Sequence, residues 1–316
     1  TIHGGAIPGN LGGNVGEPLF RAHGVDDMLG VAGALYADSI GAEDVVIFAT
    51  EVAGFQLAAN AEEKAAEALG LNVLGRINAP PEQASYRAEA QRIFDLDPDA
   101  VLMQAGSVGP TNMIKAAAEP RLALNWIGET GWSEAEFIGS LGTDPIPTQE
   151  AIGFAAFAPN FDSPGWKFYE ELWNNQEGCT EGVAECPPYD ATTPYAFSGY
   201  DLLVHTALAI EKAQSYNVSD WVPAMYEVGS EPGEKCYLYA DCLALLREGK
   251  DIDYDGATGP ATYTETGVNA VTPSYTPFND DGTKGDIVVL DPQKGLEILD
   301  IAKSEAQCDD DGVCTW

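Results

Sequence analysis

Between Asp44 and Phe157 the chain alternates short, unbroken apolar runs with segments of helical periodicity, and few folds accept that alternation. The runs read DVVIFAT (44–50), NVLGRI (72–77), DAVLMQA (99–105), LNWIG (124–128) and AIGFAAF (151–157). A run with no polar alternation suits a strand covered on both faces, the situation inside a parallel sheet. Helices are expected between the runs, near 55–69, 84–95, 110–118 and 133–140. In the first of these, Phe55, Ala58, Ala59, Ala65, Ala66 and Leu69 form one apolar stripe. Glu62, Glu63, Lys64 and Glu67 are expected to face mostly outward, as on a helix that covers one side of a sheet. The fold class that follows is α/β, with a doubly wound parallel sheet.

Beyond Pro159 the pattern changes. Helices are expected near 164–176, 194–214, 219–227 and 237–248, with no strand between them. In the longest, Tyr200, Leu203, Val204, Ala207 and Leu208 fall at i, i+3, i+4, i+7 and i+8, a broad face that needs a partner. Ahead of the first strand stand only a Gly-rich start and one helix, near 26–40. From about Gly259 onward the chain reads as strands and turns, with Asp281 and Gly282 marking a hairpin-like turn. A chain of 316 residues, 45% of them hydrophobic, can bury a large core and fits two domains.

The 50 acidic residues against 15 basic ones, a formal charge of −35, leave no basic stripe to neutralise phosphates, so nucleic acid is not an expected partner. No window approaches the roughly 18 consecutive apolar residues of a membrane span. The six cysteines fall into three near pairs, Cys179 with Cys186, Cys236 with Cys242, and Cys308 with Cys314. None has the CxxC spacing of zinc or redox sites, so local disulfides are expected, and with them an oxidising compartment. Closing each small loop would contribute roughly 2 to 2.5 kcal/mol through loop entropy.

Catalytic chemistry finds little support. The chain has no G-x-S-x-G elbow and no Walker A or G-x-G-x-x-G loop, and GGAIPGNLGG (4–13) follows no strand. His3, His23 and His205 are isolated, and His205 sits within the long amphipathic helix, where a structural histidine is expected. Neither an enzyme nor a cofactor is indicated. Asp251, Asp253, Asp255 and Gly256 match the first, third, fifth and sixth positions of a calcium loop, but the twelfth is Thr262 rather than a bidentate glutamate. A plain turn entering a strand and a calcium site both stay open there. Asn217-Val218-Ser219 matches a glycosylation acceptor, and Ser219 is expected to cap the helix that follows. Ligands of α/β lobes sit outside the carboxyl ends of parallel strands. The candidates in that position are Glu51, Val52 and Ala53, then Gln104, Gly106 and Ser107, then Glu129, Thr130 and Trp132.

The helix YAFSGYDLLVHTALAIEKA (195–213), the Cys-flanked helix after it and LREGKDIDYDGATGPATY (246–263) occur in a distinctive order. With 84–130, they resemble the solute-binding proteins of branched-chain amino acid ABC transporters, the Leu/Ile/Val-binding family with the type I periplasmic-binding fold. The resemblance implies two doubly wound lobes with a hinge. Residues 1–40 and 159–258 would form a partial first lobe, mostly helices, and 41–158 and 259–316 the second. It also implies roughly 110 to 130 further residues upstream, the strand–helix units that complete such a lobe. The implied function is extracytoplasmic and non-catalytic: capture of a small polar solute between two lobes and delivery to a transporter permease in the membrane. The setting would be periplasmic or extracellular, with tethering through an upstream segment. The same fold could instead serve as a receptor domain or a secreted assembly subunit.

The resemblance also assigns roles. The ligand carboxylate would be held near Gly5 and Ala6, although Ala6 stands where a hydroxyl is expected. Ala53 stands where a tyrosine often follows the strand, and Glu129 or Thr130 would receive the ligand ammonium. Tyr195 would touch the ligand side chain. A lost hydroxyl and a lost aromatic donor would leave ligand polar groups unpaired at about 1 to 3 kcal/mol each. An amide-like or other small polar solute therefore fits as well as an α-amino acid.

Overall fold

A computed structural model describes residues 2–3, 19–81, 83, 85–106, 108–117, 124–141, 152–175, 190–265, 267–269, 271–304, 307–308 and 314–315. In chain order its elements begin with β1 (Ile2–His3), β2 (Phe20–Arg21), α1 (Asp26–Ser39), β3 (Asp44–Thr50), α2 (Ala53–Leu69), β4 (Asn72–Ala79) and α3 (Arg87–Leu96). There follow β5 (Ala100–Gln104), α4 (Val108–Ala117), β6 (Asn125–Gly128), a 3-10 turn (Thr130–Ser133), α5 (Ala135–Leu141), β7 (Ile152–Ala158), α6 (Pro164–Asn174) and α7 (Pro194–Ala213). The rest are α8 (Val218–Glu227), β8 (Glu234–Cys236), α9 (Tyr239–Arg247), β9 (Ile252–Tyr254), β10 (Thr272–Pro277), β11 (Val288–Val289), α10 (Pro292–Ser304), β12 (Gln307–Cys308) and β13 (Cys314–Thr315).

The chain divides into two compact units. A sheet unit contains Ile7–Leu11, Val25–Phe157 and Pro273–Trp316, and a helical unit contains Thr1–Ala6, Gly12–Gly24 and Ala158–Thr272. These boundaries differ from those read in the sequence, because α1 joins the sheet unit and residues 259–272 join the helical one. The reason for the first difference is steric. Gly30 of α1 lies so close to α2 that a Cβ there would collide with the carbonyl of Ala58.

In the sheet unit seven strands run in the order β11-β10-β7-β6-β5-β3-β4. The five from β4 to β7 are mutually parallel, as the apolar runs predicted, and β3 is buried from Val45 to Thr50. Phe278 donates its N–H to the Ile152 carbonyl at the start of β7, so β10 runs against β7. Val46, Phe48, Val101, Met103, Trp126 and Phe154 form the centre of the core on one face. On α2 the stripe of alanines is buried as expected, but Glu62 is buried as well, with no exposed area. Gly33 of α1 leaves room for its carboxyl, and Gln104 Nε2 donates to Glu62 Oε1 at 3.1 Å.

One helix was not expected. Residues 292–304 form α10 rather than strand and turn, and Asp291 Oδ1 accepts the N–H groups of Gln293 and Lys294 at its start. The hairpin turn at Asp281–Gly282 is present: Gly282 has φ +81°, and Asp281 Oδ1 accepts the N–H and hydroxyl of Thr283.

The helical unit packs α7, α8 and α9 around Phe20, Leu202, Leu208, Trp221, Met225 and Tyr254. Among the described residues, its strands form two-stranded parallel pairs, β1 with β2 and β8 with β9. Strand β8 falls between helices where no strand was expected. Helix α8 starts one residue earlier than predicted, with Asn217 rather than Ser219 at its N-cap position. On α7 the buried side includes Phe197, Asp201, Leu202, Val204, His205 and Leu208, while Leu203 of the expected stripe is 70% exposed. Burial selects the polar Asp201 over Leu203 because its carboxylate is fully bonded. Oδ1 accepts Tyr254 Oη (2.8 Å) and Ala257 N (3.0 Å), and Oδ2 accepts the N–H and hydroxyl of Thr258 (2.6 Å each). Cys236 and Cys242 form a disulfide across the start of α9. Cys308 and Cys314 stand opposite each other in the antiparallel register of β12 and β13, and Cys179 and Cys186 lie outside the described residues.

Candidate functional site

The strand order reverses direction between β3 and β5: β4 follows β3 outward on one side, while β5, β6 and β7 follow on the other. At such a switch point the loops leaving the two central strands diverge and open a crevice at the carboxyl end of the sheet. Glu51, Val52 and Ala53 leave β3 there, and all three are exposed. Helix α2 begins at Ala53 with Val52 as its N-cap; no side chain caps it, and its first turn carries no acidic residue. Its first N–H groups thus present a partial positive charge to the crevice.

On the β5 side, Gln104 is buried and committed to Glu62, and Gly106 lies beside the Phe55 ring. Gly5, Ala6 and Ser107 lie outside the described residues. After β6, Glu129 caps the 3-10 turn, accepting the Gly131 N–H at 2.6 Å. Burial pushes its carboxyl up to about 7; the Gly131 N–H lowers it, and the carboxylates of Asp26 and Glu134 raise it further. Thr130 donates its hydroxyl to Ala155 O at 3.1 Å. Trp132 is buried, donates Nε1–H to Ala105 O at 3.0 Å and stacks on Phe137 at 4.4 Å. Its ring covers Gly128, where any Cβ would collide with the indole. Thr130 and Trp132 thus tie β6 to β5 and β7 behind this end of the sheet, while Glu51 and Ala53 stand exposed at its edge and Glu129 is buried.

In the helical unit, Tyr195 is the second residue of α7 and 43% exposed. Its ring stacks on His23, centroids 4.8 Å apart and planes 19° from parallel. The sequence carried no sign of this pairing, since the two residues lie far apart along the chain. His205 is structural, as expected: it is buried, with Nε2 2.6 Å from Met225 O. Burial lowers its pKa to about 4.

The aspartates of the calcium-loop pattern do not converge. Asp251 pairs with Lys212 at 2.9 Å, while Lys235 reaches Asp253 at 3.0 Å and Asp255 at 3.6 Å. Ammonium groups stand where the pattern would place a cation, and no cluster suited to a metal occurs among the described residues. An open cleft of about 610 Å3, lined by Tyr36, Pro277, Phe278, Asn279, Asp280 and Asp281, lies at the amino end of the parallel strands, away from the crevice.

Residues 5–276 match the family described as periplasmic binding protein. The chain belongs to the periplasmic binding protein family. Solved structures similar to this periplasmic binding protein include the leucine binding protein LivK of Thermotoga maritima. That match has 17% identity and a TM-score of 0.64, covering 85% of this chain and 67% of the other. A second is the solute-binding protein of an ABC transporter from R. palustris in complex with benzoate, at 14% identity and a TM-score of 0.65, covering 92% and 70%. A third is the branched-chain amino acid transporter substrate-binding protein LivJ of Streptococcus pneumoniae in complex with isoleucine, at 14% identity and a TM-score of 0.66, covering 92% and 72%. No curated protein matches the sequence. The fold is the type I periplasmic-binding α/β fold that the resemblance implied, and the family is one of solute binders, not of enzymes.

Proposed function

We propose that this periplasmic binding protein captures a small polar solute, an amino acid or an amide-like or aromatic carboxylate, and delivers it to an ABC transporter permease outside the cytoplasm. The observation that carries the reading is the switch point in the strand order, with the uncapped start of α2 at the carboxyl end of the sheet, the place where α/β sheets hold their ligands. Free N–H groups at a helix start suit a carboxylate. Isoleucine and benzoate, the ligands in two of the similar structures, share that group. In the sheet unit, Glu51 and Glu129 would supply the acceptors for an ammonium or amide, with Ala53, Gln104, Thr130 and Trp132 shaping that surface; in the helical unit, Tyr195 would touch the solute side chain. No helix among the described residues is long and apolar enough to cross a membrane.

A thermal-shift screen against amino acids, amides, ureas and small carboxylates, followed by calorimetry, tests the reading. One class of solute is expected to raise the melting temperature. If no solute does so and the purified protein polymerises, the assembly role replaces transport. For a solute carrying an ammonium, Glu129 sets a further expectation. A cation favours the carboxylate form, so affinity rises with pH through about 7. Glu129→Gln is expected to abolish that rise in calorimetric titrations, and an unchanged pH profile would remove Glu129 from the site.

A further inference from the structure

We propose that His23 is a positioning residue for Tyr195, fixing the orientation in which that ring meets the solute; this rests on the reading of Tyr195 as a solute contact. Tyr195 sits in the first turn of α7, directly after Pro194, so its backbone is set by the helix start. Its side chain is half open to solvent, and an exposed aromatic ring at a helix start can sample more than one rotamer. A flat partner 4.8 Å away and nearly parallel selects one of them. His23 can serve as that partner because it is itself immobile: it is 1% exposed, and its Nδ1 lies 3.4 Å from the Gly24 carbonyl. Burial lowers its pKa to about 4, so the stack is between two uncharged rings at ordinary pH. Ordering a contact ring before the solute arrives removes an entropic cost from binding.

The arrangement makes a sharp distinction between substitutions. His23→Phe keeps a flat face behind Tyr195, and His23→Ala removes it. With 3-fluorotyrosine incorporated, the Tyr195 resonance can be assigned by its loss in Tyr195→Phe, giving a readout that needs no solute. Isoleucine and benzoate serve as the titrated probes, together with any solute found in the thermal-shift screen. His23→Ala is expected to shift and broaden the Tyr195 resonance and to weaken the bound probe about three- to tenfold. His23→Phe should restore both, and His23→Ala should have no further effect on affinity in a Tyr195→Ala background. An unmoved resonance, an unchanged affinity, or an equal loss in the Tyr195→Ala background would overturn the proposal. If the resonance responds to His23→Ala but the wild-type protein binds no solute, the transport reading fails and this proposal with it, the stack being a structural contact only.

Discussion

Two buried carboxyl groups, Asp201 and Glu62, show how differently single residues are used. Asp201 is held by four donors, yet burial still raises its pKa, the donors only partly offsetting desolvation. Asn at that position would turn an amide N–H2 towards N–H and O–H donors. Asp201→Asn is therefore expected to cost roughly 2 to 3 kcal/mol, measured by urea unfolding, with loosening of the 254–258 turn seen in hydrogen exchange. Glu62 is the opposite case. Burial raises its carboxyl well above its ordinary value of 4.5, against the lowering effects of Gln104 and Arg76, so the folded protein keeps a proton that the unfolded chain releases. Stability from this group is fully present below the unfolded value and falls as pH rises towards the folded one. Glu62→Gln is expected to flatten that decline and to be the more stable protein at about pH 8, as read from urea midpoints across pH. A slope unchanged by the substitution would show that Glu62 ionises freely. Neither environment was legible in the sequence. Asp201 sits among apolar residues with nothing to announce its partners, and Glu62 stands in an acidic run that reads as a solvated face.

Among the elements, the parallel strands and their helices were legible because each carries its periodicity locally. Strand β3 was expected at 44–50 and occurs there, and the expected helix near 26–40 is α1. What the periodicity could not convey was which surface α1 covers. Its glycines decide that, since Gly30 and Gly33 allow α1 to approach α2 until backbone meets backbone. Gly30→Ala is expected to destabilise the protein by about 1 to 3 kcal/mol through overpacking, measured by thermal and urea unfolding, despite alanine's better helix propensity. An alanine that stabilises would mean the two helices are not in contact in solution. Helix α10 was missed, though its signal was present: Asp291 followed by Pro292 is an N-cap and first-turn pair, and Leu296, Leu299 and Ala302 recur at helical spacing. The surrounding Gly- and Asp-rich turns obscured it. The candidate site was legible by the same local logic, since the residues following each strand could be read directly. Of these, Glu51 and Ala53 are exposed, while Thr130 and Trp132 hold neighbouring strands together.

For the whole molecule, charge dominates. A net charge of −35 repels itself in the compact state, and ion pairs such as Lys212 with Glu227 and Asp251 answer only part of it. Raising sodium chloride from low to moderate concentration is expected to increase the melting temperature by several degrees, and a flat response would show that the carboxylates are too dispersed to matter. The sequence by itself determined the α/β class and the order of strands and helices around β3 to β7, because these follow from local periodicity and composition. The tertiary structure decided which acids are buried, that Leu203 faces water while Asp201 does not, that lysines occupy the aspartate turn, and that His23 lies behind Tyr195. Those outcomes depend on donors and steric room supplied by residues distant in the chain, and no local pattern records which distant group will arrive.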